Sequence, residues 1–245
     1  MTTRFLAVIA ALVGGLACLS ACSANYSAAP VTGQVVDAET GKPVAGVNVV
    51  AHWQFEGGME GGTPIGAVMV MEAETDANGR YHFPAWGPKQ FRKPFGVYAN
   101  ARIKGAAPEL IFFKSAYLSE RERNDGTIEL DPAMMRSVWD GKTIKLQPFR
   151  GTSARYATTL WGLSSELSGA TASINPTCSA WIHCPAACQW QNIPKMIRAV
   201  GRQYKAFEAE GIRDSSIFDD LIANEAAYRK VGCASTTRVL GGGNK

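Results

Sequence analysis

The sequence lacks the short motifs that mark the common catalytic sites. It contains 3 histidines in 245 residues and no G-x-S-x-G, H-E-x-x-H, P-loop or G-x-G-x-x-G pattern. His52 and His82 lie in strand-like runs, where a neutral packed or surface histidine is the ordinary outcome, and no nucleophile is paired with either. We therefore expect a protein that is not an enzyme and that needs no cofactor.

Charge of one sign and long apolar runs are also scarce. The formal net charge is +4, and the one basic cluster, Lys89, Arg92 and Lys93, fits a solvated loop. This distribution argues against nucleic acid as a partner. After residue 22 no apolar run approaches the roughly 20 residues that a membrane-spanning helix needs. With 46% hydrophobic and 19% charged residues, the composition is ordinary for a globular protein.

The N-terminus carries the clearest pattern. A short basic segment (1–4) precedes an apolar run (5–16, FLAVIAALVGGL), as in a signal peptide. The following Leu19-Ser20-Ala21-Cys22 resembles the lipobox of bacterial lipoproteins. That resemblance implies cleavage before Cys22 and acyl chains on its thiol and amine, and each buried methylene contributes about 0.8 kcal/mol to membrane attachment.

We therefore predict a signal peptide over 1–21, a lipidated Cys22 and a tether over 22–30. The alternative is ordinary secretion with Cys22 left free. The residue after the cysteine is Ser23 rather than aspartate, which favours the outer membrane, with the folded chain facing the periplasm.

Between residues 31 and 150, β-branched runs alternate with turn residues, which predicts a β-rich module. Runs 34–36 and 47–50 are predicted as neighbouring strands, and Asn78-Gly79 as a type I′ hairpin turn. Further strands are predicted over 65–71, 96–103, 110–113, 127–130 and 143–147.

Two segments of this module resemble the carboxypeptidase regulatory-like domain, which has a G-x-V-x-D…G-x-P-x-x-G-x-x-V start and a T-D-x-x-G-x-(F/Y)-x-F segment. The matching residues are Gly33, Val35, Asp37, Gly41, Pro43, Gly46, Val49, Thr75, Asp76, Gly79, Tyr81 and Phe83. The resemblance implies a small β-sandwich of the transthyretin or prealbumin type.

A glycine-rich insertion separates the two motif segments. Gly57, Gly58, Gly61 and Gly62 make it a candidate binding loop, with a flexible hairpin tip as the alternative. The run that begins at Asp76 lacks the glutamate at position twelve of a calcium-binding EF-hand loop, so we interpret it as a turn.

After about residue 150 the apolar period changes from 2 to 3.6, which predicts a small helical region over 151–245. Helices are predicted over 153–167, with Gly169 as its cap, and over 194–211, which opens with proline. A third helix begins at Ser215 or Ser216 and stops at Gly232.

This region holds Cys178, Cys184, Cys188 and Cys233. In an oxidising periplasm four cysteines favour two disulfides, and every pairing links the 178–188 segment to Cys233 by one bond. Two alternatives remain open: a metal site formed by Cys178, His183, Cys184 and Cys188, or thiol redox chemistry at Cys184-x-x-x-Cys188.

Taken together, these patterns predict a lipid-anchored, non-catalytic cell-envelope protein. Its fold class is a β-sandwich followed by a helical, disulfide-bearing region, and its role is to bind a protein or glycan partner or to act as a structural module. A periplasmic metal-binding or thiol-redox protein is the alternative.

Overall fold

The chain is described by a computed structural model over residues 23–57, 62–92, 102–105, 107–124, 134–171, 184–212, 225–230 and 232–235. Within these residues the fold is mainly β, followed by helices. The strands are β1 (Ser23–Ala28), β2 (Val31–Asp37), β3 (Asn48–Gly57), β4 (Thr63–Glu74), β5 (Arg80–Phe83), β6 (Trp86–Arg92), β7 (Arg102–Ile103), β8 (Glu109–Phe113), β9 (Glu120–Glu122) and β10 (Lys142–Leu146). The helices are α1 (Ser153–Thr171), a 3₁₀ helix (Cys184–Asn192), α2 (Pro194–Ala209) and α3 (Glu225–Lys230).

Two sheets share one hydrophobic core. The first sheet has the order β4-β3-β8-β9, with β7 also paired to β3, and the second has the order β10-β2-β5 with β10 parallel to β2. The residues that meet between them include Val31, Val35, Val49, Ala51, Trp53, Tyr81, Phe83, Leu110, Phe112, Ile144 and Leu146. Alternating positions on each strand supply this core, as the period-2 pattern predicts.

The helices cover the other face of the first sheet. Strand β8 is therefore buried along its whole length. The second core combines sheet residues with the apolar stripes of α1 and α2, and its members include Val50, Val70, Ile111, Phe113, Tyr156, Leu160, Leu163, Leu167, Ile197, Val200, Tyr204 and Phe207. The protein thus has three layers, helices on a sheet on a sheet, because β8 is apolar on both faces and Val50, Ala67 and Val70 of β3 and β4 extend the helix-side core.

Strand β4 fixes the start of α2. Ile193 at the N-cap makes no side-chain capping bond, and Pro194 occupies the first helical turn. Instead, the carboxylate of Glu72 on β4 accepts hydrogen bonds from the backbone N–H groups of Lys195 (2.9 Å) and Met196 (3.1 Å). A side chain from the sheet thus satisfies two of the amide groups that a helix N-terminus leaves unpaired.

The predicted tether is largely a strand. Residues 23–28 form β1, which pairs with β6, and β2 pairs with β5 in the same antiparallel sense. Ala28 lies opposite Trp86 and Val31 opposite Phe83. Because three positions separate these pairs on both chains, the register continues from one ladder to the next. Segments 23–34 and 80–92 therefore make one long two-stranded ribbon, with a register shift between Tyr26 and Ala28, and residues 23–28 of the predicted tether form a paired strand.

The predicted turn at Asn78-Gly79 is also different. The Asp76 carboxylate accepts hydrogen bonds from the N–H groups of Asn78 and Arg80, each at 2.8 Å. Gly79 has a positive φ of 70°, whereas Asn78 is not among the described residues with positive φ. Strands β4 and β5 belong to different sheets, so this side-chain-supported turn carries the chain across the core and is not a type I′ hairpin. Runs 34–36 and 47–50 likewise face each other from opposite sheets.

The remaining predicted elements divide into three groups. The strand predicted over 65–71 lies within the longer β4, and the strands predicted over 110–113 and 143–147 are confirmed as β8 and β10 to within a residue. The helices over 153–167 and 194–211 are confirmed as α1 and α2, although α1 continues beyond Gly169, which therefore does not end it. Segment 127–130, most of 96–103 and the start of the third helix lie outside the described residues.

Candidate functional site

The family-like motif residues build the scaffold. The buried Thr75 hydroxyl accepts a hydrogen bond from the Val47 N–H (2.9 Å) and donates one to the Val44 carbonyl (2.7 Å). A Cβ on Gly33 would lie 2.4 Å from the Tyr81 hydroxyl oxygen. These two motif residues are therefore explained by hydrogen bonding in a turn and by close packing.

Asp37 shows the same scaffold role. Its carboxylate accepts hydrogen bonds from the backbone N–H groups of Thr40 (2.8 Å) and Glu39 (3.0 Å) and from the Tyr117 hydroxyl (3.0 Å). These bonds, the one from the Thr40 backbone first, hold the pKa of Asp37 below its usual value.

An open groove of about 740 Å³ lies against the second sheet. The register aligns Thr143, Gln34 and Arg80 across its three strands. The groove is lined by Thr32, Gly33, Gln34, Ala73, Glu74, Asp76, Arg80, Tyr81, His82, Gly141, Lys142 and Thr143. Most of these residues carry hydrogen-bonding side chains, which suits a polar ligand spread over a surface.

The acids at the groove already have partners. Asp76 accepts the turn hydrogen bonds described above, and Glu74 lies 3.3 Å from the Lys195 ammonium. By contrast, Arg80 and Lys142 form no ion pair with any described acid within 4.0 Å. Within the described residues, the groove therefore presents cations whose charge is not neutralised at short range.

A second polar site is buried at the end of the first sheet. His52 on β3 and Glu109 on β8 lie opposite each other in the register, and they are 4% and 6% exposed. Glu109 lies 3.3 Å from His52 Nε2 and 2.8 Å from Lys104 Nζ. Burial acts to raise the pKa of Glu109, but the bonds and charges of His52 and Lys104 outweigh it and lower the pKa to about 2.

This site extends toward helix α1. Glu166 on α1 lies 3.3 Å from Arg121 on β9. Burial raises the pKa of Glu166, with smaller effects from Arg121 and Glu109. Sequence patterns missed this cluster because nothing in the order of residues predicts that β3 and β8 pair in this register. Its charged residues thus lie on α1 and on the three strands β3, β8 and β9.

The structure brings two of the predicted cysteines together. Cys188 and Cys233 form a disulfide with an S–S distance of 2.05 Å and a sequence separation of 45. This is a bond of the predicted kind, between the 178–188 segment and Cys233. Because Cys188 is not a free thiol, both the alternative metal site and the Cys184-x-x-x-Cys188 redox pair lose one member. Cys178, His183 and the side chain of Cys184 lie outside what is described.

The other candidate positions are only partly visible. Cys22, Gly58 and Gly61 are outside the described residues. Gly57 pairs with Thr63 at the ends of β3 and β4, so the glycine-rich segment connects two antiparallel strands. Elsewhere in the described chain, no three His, Cys, Asp or Glu side chains are grouped as a metal site. No helix among the same residues has the length and apolar character to span a membrane.

Comparison with protein families and with curated proteins finds no match. Among solved structures, similarity is found to 3-chlorocatechol 1,2-dioxygenase from Rhodococcus opacus 1CP, with a TM-score of 0.29 and 16% identity over 51% of this chain and 62% of the dioxygenase. A 9R-lipoxygenase from Cyanothece PCC8801 gives a TM-score of 0.24 and 16% identity over 82% of this chain and 26% of the lipoxygenase. The chain thus spans less than two thirds of either enzyme, and such distant similarity carries no functional argument.

Proposed function

We propose that this chain is a lipid-anchored, non-catalytic cell-envelope protein whose transthyretin-like β-sandwich binds a protein or glycan partner. The observation that carries the proposal is the Leu19-Ser20-Ala21-Cys22 sequence behind a basic segment and an apolar run, the arrangement expected of a lipoprotein signal. An acyl group on Cys22 leaves every described strand and helix intact.

The disulfide supports the same compartment. A bond between Cys188 and Cys233 is typical of proteins that fold in an oxidising space such as the periplasm. Since Cys233 is thereby used, Cys178 and Cys184 are the remaining candidates for the second predicted disulfide.

The groove supports the binding role. Its lining offers hydroxyl, amide and cationic groups on a three-stranded surface, while the acids near it are engaged in scaffold contacts. A partner with acidic or hydroxyl-rich groups, such as an acidic protein surface or a glycan, complements that surface. Catalysis is not part of the proposal.

Fractionation of expressing cells tests the anchor. The wild-type chain is expected in the outer-membrane fraction, whereas Cys22→Ala is expected in the soluble envelope fraction or with its leader uncleaved. Cys18→Ala is the matched control, because Cys18 lies within the predicted leader, and it is expected to fractionate like wild type. Equal fractionation of all three chains would contradict the anchor.

In-cell crosslinking tests the binding role. A wild-type chain is expected to give a discrete adduct that weakens when Arg80 and Lys142 are both changed to glutamate. Lys42→Glu, an exposed change in the turn after β2, is the control and is expected to keep the adduct. Loss of the adduct in the control alone, or no adduct in any chain, would contradict a partner at the groove.

A further inference from the structure

The groove lies on the face of the second sheet that points away from the core. Side chains alternate between the two faces of a strand. The core side is taken by alternate residues of β2, β5 and β10, namely Val31, Val35, Tyr81, Phe83, Ile144 and Leu146. The intervening residues that line the groove are Thr32, Gln34, Arg80, His82 and Thr143. These five side chains form the groove floor, and all of them are exposed except the half-buried Gln34.

The register gives the spacing of the polar groups. Thr143, Gln34 and Arg80 form one row across the three strands, and Thr32 and His82 pair in the next row. Lys142, at the start of β10, also lines the groove. Neighbouring strands are about 4.8 Å apart, so Arg80 and Lys142 stand on strands about 10 Å apart. Hydroxyl and amide groups therefore lie between two cations.

The acid nearest this surface in the chain is also engaged. Asp140 precedes the groove residue Gly141, and its carboxylate accepts hydrogen bonds from the Thr32 N–H (2.8 Å) and the Thr32 hydroxyl (3.0 Å). The Gln34 amide donates one hydrogen bond to the Asn78 carbonyl (2.9 Å). The amide oxygen of Gln34 is an acceptor, so this residue can still bind a hydroxyl group of a ligand.

The groove lacks the surface on which a protein partner would anchor. The centre of a protein interface is apolar, and its strongest contacts come from side chains that fill pockets. Among the lining residues only Ala73 and Tyr81 have mainly apolar side chains, and Tyr81 is 3% exposed and packed in the core. The lining also offers no exposed aromatic ring on which a nucleic-acid base could stack. These features favour a hydrophilic ligand.

We propose that the groove binds a glycan that carries carboxylate groups. Arg80 and Lys142 bind the carboxylates, and the side chains of Gln34, His82 and Thr143 bind the sugar hydroxyls. A guanidinium can donate two parallel hydrogen bonds to one carboxylate, and hydroxyl and amide groups both donate and accept, as sugar hydroxyls do. This inference rests on the proposed binding role of the groove and names the chemical class of its partner.

Titration with acidic oligosaccharides tests the assignment. The chain of residues 22–245, with Cys22→Ser so that no lipid is attached, contains every described element. It is titrated with oligogalacturonate, with oligomannuronate and with the methyl ester of each, and binding is followed by NMR. The ester keeps the sugar hydroxyls and removes the charge. We expect at least one acid to bind at least tenfold more tightly than its ester, and added salt to narrow that difference.

Single variants locate the binding. Arg80→Gln and Lys142→Gln are each expected to weaken binding of the acid about tenfold, the effect of one charge-assisted hydrogen bond, and to leave binding of the ester unchanged. Lys205→Gln is the matched control, because it removes an exposed cation from α2 on the helix side of the molecule. It is expected to bind like its parent.

Three results would overturn the proposal: no binding of either acid, equal affinity for acid and ester, or equal losses in all three variants. Failure of the broader binding role is distinguishable from these results. An in-cell protein adduct that depends on Arg80 and Lys142, without oligosaccharide binding, would keep the binding role and assign the groove to a protein. Absence of both the adduct and oligosaccharide binding would refute the binding role as well.

Discussion

The buried carboxylate of Glu109 gives the sharpest test of the energetics. Its pKa of about 2, against an ordinary value of 4.5, corresponds to a stabilisation of about 3 kcal/mol at 1.36 kcal/mol per pKa unit. Because the pKa is lower in the folded chain, this stabilisation is complete above pH 4.5 and is lost as the pH falls from 4.5 toward 2. We therefore expect Glu109→Gln to destabilise the protein by about 3 kcal/mol at pH 7.

An ion pair with one solvent-exposed partner supplies the control. Glu56 pairs with Arg102 at 3.1 Å, but the arginine is 71% exposed, so Glu56→Gln should cost about 1 kcal/mol or less. Urea unfolding of both variants and wild type at pH 7 and pH 3 measures the difference. A Glu109→Gln loss that equals the Glu56→Gln loss, or that does not shrink at pH 3, would refute the assigned role of the buried cluster.

Three further changes test other parts of the fold. Replacing Cys188 and Cys233 together by serine should destabilise the protein by about 4 kcal/mol, the chain-entropy value for a loop of this length. Thermal unfolding with and without reductant measures this loss. A melting temperature of the wild type that does not change with reductant would contradict it. Glu72→Ala should lower the free energy of unfolding by about 1 kcal/mol, because α2 loses its cap. Urea unfolding measures this loss, and an unchanged urea midpoint would exclude the capping role. Gly33→Ala should lower the free energy of unfolding by about 1–3 kcal/mol, because its Cβ would meet a tyrosine ring. Gly162→Ala, in open space within α1, should raise it by about 0.5–1 kcal/mol. Calorimetry that finds the opposite signs would contradict both packing arguments.

The helices and several strands could be predicted because their patterns are local. Four residues of α1 repeat at helical spacing, and the same four lie in the core between the helices and the first sheet. They are Tyr156, Leu160, Leu163 and Leu167. The link between the 178–188 segment and Cys233 followed from counting cysteines. In each case the information lies within one segment or in composition.

The pairing of distant segments could not be predicted in the same way. Nothing in the tether-like run of small residues before Pro30 indicates that it pairs with β6, since a strand partner 60 residues away contributes no local pattern. For the same reason the Asn78-Gly79 signal was misleading. A hairpin and a crossing between sheets use similar turn residues, and the Asp76 side chain, together with the packing of Tyr81 and Phe83, favours the crossing.

The candidate sites differ in the same way, between those marked by a local sequence pattern and those formed by distant segments. Cys22 was proposed from a contiguous motif, whereas the His52–Glu109 contact and the groove exist only after strands from different parts of the chain have come together. Glycines at 57 and 62 indicated a connection between strands, but their residue types contain no information about a ligand.

The mass of the intact protein purified from membranes tests the central claim most directly. The account predicts a chain of residues 22–245 that carries a diacylglyceryl group on Cys22, with or without a third acyl chain on its amine. A chain with the leader still attached, or one that begins at Cys22 without any added acyl mass, would contradict the lipid anchor.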